Sequence, residues 1–389
     1  MAASTIQPVA SETSAESSQT AQLRTVSRVL ELDGIRGIAV LLVLVSHFGR
    51  PACPPGILNN ILGFGWVGVD LFFALSGFLI TGILLDAKGQ PHYFRRFYLR
   101  RVFRILPIYY AYLILFFHLV PLLAHASGRL DTFLYGRGDE AWYWIYLSNW
   151  RDAAQQNGHL RHFWSLSIEE QFYIVWPLVV YLVSPRVLKY VCIGFAICST
   201  ALRFAAALAG VPAYFLYQTT PFRLEGLALG ALLALAVRDA ILHKRVATVI
   251  RWTWPVAAVV LVSIAIRSGP NFLDPAMATY GYAGVAVLCW ALVFWGTLQA
   301  GTERIFARIL RTSWLVQFGK YSYGLYVWHM LFGGFVRGGE EFARRHWGLS
   351  WSLLPVALAV GIGVSYGVAL LSWKLIEEPC ARLKERVAG

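Results

Sequence analysis

Ten runs of apolar residues, most of them about as long as a membrane-crossing helix, constrain this chain more than any other feature. They cover residues 35–50, 65–85, 104–124, 167–184, 187–209, 224–238, 251–267, 279–299, 317–336 and 352–376. A spanning helix needs roughly 17–25 mostly apolar residues. The runs at 35–50 and 224–238 are short, so each must extend into its polar flanks or be shielded by neighbouring helices. Only 14% of residues are charged and 57% are hydrophobic, whereas about a quarter of a soluble domain is charged. That balance excludes a water-exposed globule, a disordered chain, a collagen-like fibre and a disulfide scaffold. Fifteen Trp, 19 Tyr and 24 Phe supply the aromatic load of helices that meet a membrane interface. The expected fold class is an all-α integral membrane protein, a bundle of about ten transmembrane helices.

The distribution of Lys and Arg orients the bundle. With the N-terminus inside, the inner segments carry more than twice as many of them as the outer ones. The topology read is therefore N-in/C-in, in a multi-pass protein of the inner (cytoplasmic) membrane with its active site towards the outer side. Residues 1–28 are rich in Ser, Thr, Ala and Gln, with no basic residue before Arg24. They read as a disordered cytoplasmic tail rather than a signal peptide. Residues 29–378 form the membrane domain and 379–389 a short cytoplasmic tail. The net charge of +13 does not gather on one exposed module, so no nucleic-acid partner is expected. Five cysteines without CxxC or Cys/His spacing imply no metal site and no required disulfide.

Ionisable groups inside spans are costly and are functional candidates by default. His47 lies near the outer end of the first run and Asp70 a few residues into the second. Glu169 and Glu170 open the fourth, Arg223 and Glu225 open the sixth, and His329 lies in the outer half of the ninth. At 1.5 Å per residue these groups could share one level to within roughly 10 Å. A histidine among carboxylates at one depth has the composition of a general-base site. Each residue also has a plainer reading. A lone His is usually just hydrogen-bonded, Asp70 could satisfy nearby backbone, and Arg223 and Glu225 could be a local pair. Ser167, three residues before Glu170, has the spacing of a capping box. Glu169 lacks that explanation and is preferred as the functional carboxylate.

A second feature is basic. Arg95, Arg96, Arg100, Arg101 and Arg104 lead into the third run. Positive-inside bias or anionic-lipid contact accounts for such a cluster, but arginine forks also suit phosphates. Arg36 and His47 are 11 residues apart, roughly 16 Å along a helix. A phosphopantetheine arm could keep its phosphates at the arginines while its thioester approaches His47. The outer loop, about 125–164, is rich in Trp and Tyr and reads as an interfacial aromatic belt, or else as a stacking surface for a sugar. No internal repeat is found.

The segments LDGIRGIAVLLVLVSHF (32–48), GWVGVDLFFALSGFLIT (65–81), FRRFYLRRVFRILPIYY (94–110), FWSLSIEEQFYIVWP (163–177), FRLEGLALGALLA (222–234) and YSYGLYVWH (321–329) resemble the membrane-bound acyltransferase-3 family. The resemblance covers about residues 30–376. Its most specific parts are Arg and His separated by ten residues in the first run, and the SIEEQFY block. It implies about ten helices and transfer of acyl groups, often acetyl from acetyl-CoA, to hydroxyls of extracytoplasmic saccharides or small glycosylated products. By that resemblance His47 matches the catalytic histidine and Arg36 its paired basic residue, and Arg101 and Arg104 match the family's basic block. Some members carry a further esterase-like domain, which is not expected here. Glu225 stands where an Asp is common.

The reading is an O-acyltransferase with His47 as general base, supported by Asp70 or Glu169 as the carboxylate holding the imidazole. Arg36, Arg100, Arg101 and Arg104 bind the acyl-CoA co-substrate, with no bound cofactor. Glu170, Arg223, Glu225 and His329 bind the acceptor or support the transition state. No Ser or Cys is evidently paired with a base, so direct transfer is favoured over an acyl-enzyme. Expected partners are acyl-CoA, a carbohydrate or glycosylated acceptor and the lipid bilayer, with polysaccharide-assembly proteins as candidates. One alternative is a proton-coupled transporter using the same His and carboxylates. Another is a non-catalytic partner of a polysaccharide assembly system.

Overall fold

The computed structural model describes residues 29–126, 138–158, 160–269, 271–348 and 353–388, so the expected tail at 1–28 lies outside it. Among the described residues all regular structure is helical. Ten principal helices follow the ten apolar runs: α1 Leu30–Ala52, α2 Val67–Ala87, α3 Tyr93–Ile114, α4 Phe163–Leu182, α5 Pro185–Leu208, α6 Leu224–Ala236, α7 Ala240–Ser268, α8 Tyr282–Leu298, α9 Ser322–Trp347 and α10 Leu354–Ser372.

Seven helical segments are long and apolar enough to cross a membrane: Leu30–Ala52, Ile57–Ala87, Tyr93–Leu123, Pro185–Leu208, Ala240–Ser268, Met277–Leu298 and Leu354–Lys384. The other three runs fall short of that class for separate reasons. α6 has 13 residues. α4 is interrupted by Glu169, Glu170 and Gln171, and the C-terminal end of α9 carries Glu340, Glu341, Arg344 and Arg345.

Several helices begin well outside their apolar run, because hydropathy marks where lipid begins and not where backbone hydrogen bonding begins. α3 starts at Tyr93, so the arginine run lies on the helix instead of leading into it. α7 starts at Ala240, where the Asp239 side chain accepts hydrogen bonds from the Ile241 and Leu242 amides. The run at 317–336 divides into a short helix, Ser313–Lys320, and α9. Past residue 378 the chain continues as a helix, Glu378–Ala388, lying against α3.

α1 is central, touching α2, α8, α9, α10 and the Ser313–Lys320 helix. The spans containing α1, α2 and α8 are each 61% buried, against 17% for α5 and 22% for α7. The latter two therefore form the periphery and turn Leu202, Val259 and Ile266 outward. Glycine permits the closest approaches, as expected where helices associate in lipid through backbone contact. A Cβ on Gly77 of α2 would sit 2.0 Å from the Leu227 carbonyl oxygen of α6, and one on Gly230 of α6 2.1 Å from that of Ala74.

The described part of the loop before α4 is folded onto the bundle. Its short helices Glu140–Trp144 and Ser148–Gln155 bury Tyr143, Ser148, Asn149 and Asp152, and the second packs on α4. Tyr109 of α3 donates to the Tyr143 carbonyl at 2.7 Å, and Gln171 of α4 donates to that of Tyr146 at 2.8 Å. Trp144 has Tyr110 and His118 stacked against it, and Trp164 is buried. Neither ring forms an open sugar platform.

Candidate active site

α1, α2, α3, α4 and α9 line one cavity of about 90 Å³. Helical periodicity sorts the arginine run across this wall. Arg101 and Arg104, three apart and on one face of α3, line the cavity together with Arg36 of α1. Arg95, Arg96 and Arg100 are exposed, and none of them lines it. Arg100 therefore parts from the other expected donor-binding residues. The Arg101 guanidinium lies over the rings of Phe97 and Tyr173, 5.8 and 5.4 Å from their centroids, which orients the fork. Arg36 is 3.5 Å from the Asp33 carboxylate.

Glu169 and Glu170 line this same cavity. The Ser76 hydroxyl donates to Glu169 Oε1 at 2.8 Å and accepts from the Tyr173 hydroxyl at 3.0 Å. The expectation that both glutamates open their helix fails. α4 begins at Phe163, so Glu169 lies seven residues beyond His162, roughly 10 Å along the axis. The capping-box reading of Ser167 and Glu170 fails for the same reason. Ser167 is already inside the helix, and its hydroxyl bonds that of Ser148 at 3.0 Å. Ser76 is also a serine paired with a carboxylate. Sequence reading missed it because the two residues lie 93 positions apart.

The cavity ends at Ser165 and Tyr326, whose hydroxyls are 2.6 Å apart. The Tyr326 hydroxyl donates to the His162 carbonyl at 2.7 Å. Its ring lies 5.6 Å from that of His329 and 5.9 Å from that of His162. His329 in turn meets His47 edge-on, with ring centroids 5.0 Å apart. Two residues expected to share a level, His47 and His329, are thus brought together. A third ring, His162, lies 5.2 Å from His329. Among the described residues no group of His, Cys, Asp or Glu is arranged to hold a metal ion.

Backbone carbonyls fix the tautomers of these rings. His47 Nδ1 is 2.8 Å from the Val43 oxygen and His329 Nδ1 is 2.7 Å from that of Tyr326. A carbonyl only accepts, so Nδ1 carries the hydrogen in both and Nε2 carries the lone pair. For His47 that leaves Nε2 as the basic nitrogen.

Asp70, Arg223 and Glu225 form a different cluster. Arg223 donates to Asp70 Oδ1 at 2.7 Å, and both side chains are buried. Three rings enclose the guanidinium, with centroids at 4.4 Å for Tyr282, 4.9 Å for Tyr217 and 5.5 Å for Trp164. Glu225 is held by Arg203 and by the Ser199 hydroxyl, the latter at 2.8 Å. Arg223 and Glu225 are therefore not a local pair. Each binds a partner on another helix, tying α2 to the start of α6 and α6 to α5. Arg203 was missed, although its position inside the run 187–209 should have marked it under the rule that flagged the others.

In the loop before α4, Asp152 accepts from the Tyr143 hydroxyl at 2.9 Å and from Arg151 at 3.1 Å. Arg151 also binds Asp139. Burial outweighs these partners and pushes the Asp152 carboxyl up to about 6.

A family model described as an acyltransferase domain matches residues 29–372. The putative peptidoglycan O-acetyltransferase YrhL of Bacillus subtilis is 32% identical over 329 residues, covering 77% of this chain and 47% of that protein. The peptidoglycan O-acetyltransferase OatA of Listeria monocytogenes is 27% identical over 324 residues, covering 77% and 49%. The O-acetyltransferase OatA of Staphylococcus aureus is 27% identical over 316 residues, with the same coverage. The chain spans about half the length of these curated relatives. No solved structure matches it. With a match running from the start of α1 to the end of α10, through both the arginine-lined cavity and the histidine cluster, the chain belongs to the acyltransferase-3 family.

Proposed function

We propose that this protein is a membrane O-acetyltransferase that moves an acetyl group from acetyl-CoA to a hydroxyl of a cell-wall saccharide. The observation that carries the reading is the continuity of the site. Arg36, Arg101 and Arg104 line one part of a cavity, and its boundary at Ser165 and Tyr326 abuts the rings of His162 and His329, the latter in contact with His47. In this reading the arginines hold the phosphates of the donor and the pantetheine arm follows the cavity. Glu169 and Glu170 accept hydrogen bonds from the arm's amides. The acceptor hydroxyl reaches His47 from the outer side. His47 Nε2 takes its proton as the oxygen attacks the thioester carbonyl, and the coenzyme leaves as the thiol after taking that proton back. Transfer is direct. Glu169, which holds Ser76, lies roughly 10 Å along α4 from His162, so the Ser76–Glu169 pair is not the nucleophile in this reading.

The orientation in this reading is N-in with about ten crossings, in the cytoplasmic membrane. In lipid, α4, α6 and α9 cross within the shelter of neighbours that α6 already has on three sides, from α2, α5 and α8. Reporter fusions after Lys88 and Lys244 are expected to read cytoplasm, and one after Arg137 the outside. The catalytic assignment is tested with His47→Gln in purified, detergent-solubilised protein. Transfer from labelled acetyl-CoA to a soluble peptidoglycan fragment should fall by about 10²–10⁴-fold, the usual worth of a general base, while acetyl-CoA affinity is kept. Near-wild-type transfer by His47→Gln would remove the histidine from the chemistry.

A further inference from the structure

His162 has no part in the reading above, yet it is the third ring of the histidine cluster and is 5% exposed. Its Nε2 lies 3.2 Å from the Val327 carbonyl oxygen, which makes Nε2 the donor and leaves the lone pair on Nδ1. That Nδ1 is buried without a hydrogen-bond partner, and so is Nε2 of His329. Two consecutive carbonyls of α9, those of Tyr326 and Val327, thus lock both neutral rings with an acceptor nitrogen unused. Leaving such a nitrogen unpaired costs stability. A cluster built only for packing would use an apolar aromatic here, as it does at the neighbouring Phe163, whose ring is 4.3 Å from that of His162.

We infer that His162 is a positioning residue for proton transfer, acting with His329 to stabilise the imidazolium that forms on His47. The inference rests on the His47 general-base reading. As His47 takes the acceptor's proton, positive charge appears on a half-buried ring beside the two fully buried ones. The two neighbouring rings, His329 in contact with it and His162 in contact with His329, are neutral, and each keeps a buried nitrogen lone pair unengaged. Such polar groups held beside the forming charge lower the cost of forming it. No proton is lost or gained overall. The one taken from the acceptor hydroxyl leaves with the coenzyme thiol as the C–S bond breaks and the C–O bond forms. The titratable groups facing His162 are His329 and Tyr326 of α9 and Tyr112 of α3, with His47 of α1 beyond His329.

The test is His162→Gln, whose amide can still donate to the Val327 carbonyl but offers no imidazole. His162→Phe is run beside it, keeping the ring contacts and losing both nitrogens. Transfer from labelled acetyl-CoA to a soluble peptidoglycan fragment is measured against pH in the purified full chain, together with acetyl-CoA affinity. Both variants should lose about tenfold in kcat and move the acid limb of the profile about one unit lower, since one unit and a tenfold change are the same free energy. Donor affinity should be unchanged. A wild-type limb in the variant that folds, whether or not kcat falls, overturns the inference and leaves His162 a packing residue. His47→Gln, assayed in parallel, separates the two claims. If it remains active, the general-base reading itself fails. If it is inactive while both His162 variants keep the wild-type profile, only the inference fails.

Discussion

The Asp70–Arg223 pair allows a quantitative test of what holds the bundle together. Asp70 was expected to support the histidine, but its carboxylate is engaged by Arg223, and neither residue lines the donor cavity. Breaking a buried ion pair by removing one partner costs about 3–5 kcal/mol, because the other charge is left uncompensated. The two directions are not equivalent here. In Asp70→Asn the guanidinium keeps three ring faces at 4.4, 4.9 and 5.5 Å. Each face attracts a cation by about 0.5–2 kcal/mol, and the amide oxygen can still accept. In Arg223→Gln the buried Asp70 carboxylate loses its cation and has no such ring contacts to fall back on. Asp70→Asn should therefore cost about 3 kcal/mol and Arg223→Gln about 5 kcal/mol. The double variant buries no charge and should cost less than Arg223→Gln alone. Buried Cys289 supplies a reporter, since its reaction with a thiol-specific dye during heating in detergent marks opening of the bundle. Equal costs, or a double variant equal to the sum of the singles, would refute the caged-cation account. Neither substitution should move the acid limb of the transfer profile, as loss of a carboxylate on His47 would.

Three further outcomes follow from the geometry. Arg101→Ala and Arg104→Ala should each weaken acetyl-CoA binding about tenfold, the scale of a charge-assisted hydrogen bond, and lessen its salt dependence. Arg100→Ala, outside the cavity wall, should change it less than twofold; isothermal titration decides between them. Gly77→Ala places a methyl 2.0 Å from the Leu227 oxygen, so α2 and α6 must part by over an ångström and transfer should be lost with the fold. Gly194→Ala on α5 meets nothing within 4 Å and should be neutral or stabilising by up to about 1 kcal/mol, as dye-monitored melting will show. Asp152, with its folded carboxyl pushed up to about 6 from an ordinary 3.9, contributes stability that is complete below the ordinary value and is lost as pH rises through 6. Hydrogen exchange in Ser148–Gln155 should therefore be slower at pH 5 than at pH 7.5 after correction for the intrinsic rate, and Asp152→Asn should abolish the difference.

What could be read in the chain depended on sequence separation. The all-helical fold, the positions of the ten principal helices and the family were legible, because apolar runs and contiguous motifs are local. Arg36 and His47 share one helix and a simple rise, so their joint importance was visible without a fold. Helix ends were less so. The starts of α3 and α4 lie in polar sequence, and missing them misplaced Glu169 and Glu170 in depth. Depth along a helix also says nothing about azimuth. Asp70 and Arg223 fall on the expected helices, yet they bind each other and do not line the donor cavity.

The amino-acid sequence alone determines that this chain must bury its helices in a membrane, since too few charges exist to solvate so much apolar surface, and it marks the residues costly enough to need partners. Only the tertiary structure decides who those partners are. It gives Arg101 and Arg104 to the cavity and leaves Arg100 outside, pairs Asp70 with Arg223 and Glu225 with Arg203, and seats His162 beside His329 from 167 residues away. The physical reason is that hydropathy and helical period are properties of neighbours in the chain. The facing of two side chains across a helix interface is instead set by backbone approach, which the glycines on α2 and α6 permit and which no local pattern encodes.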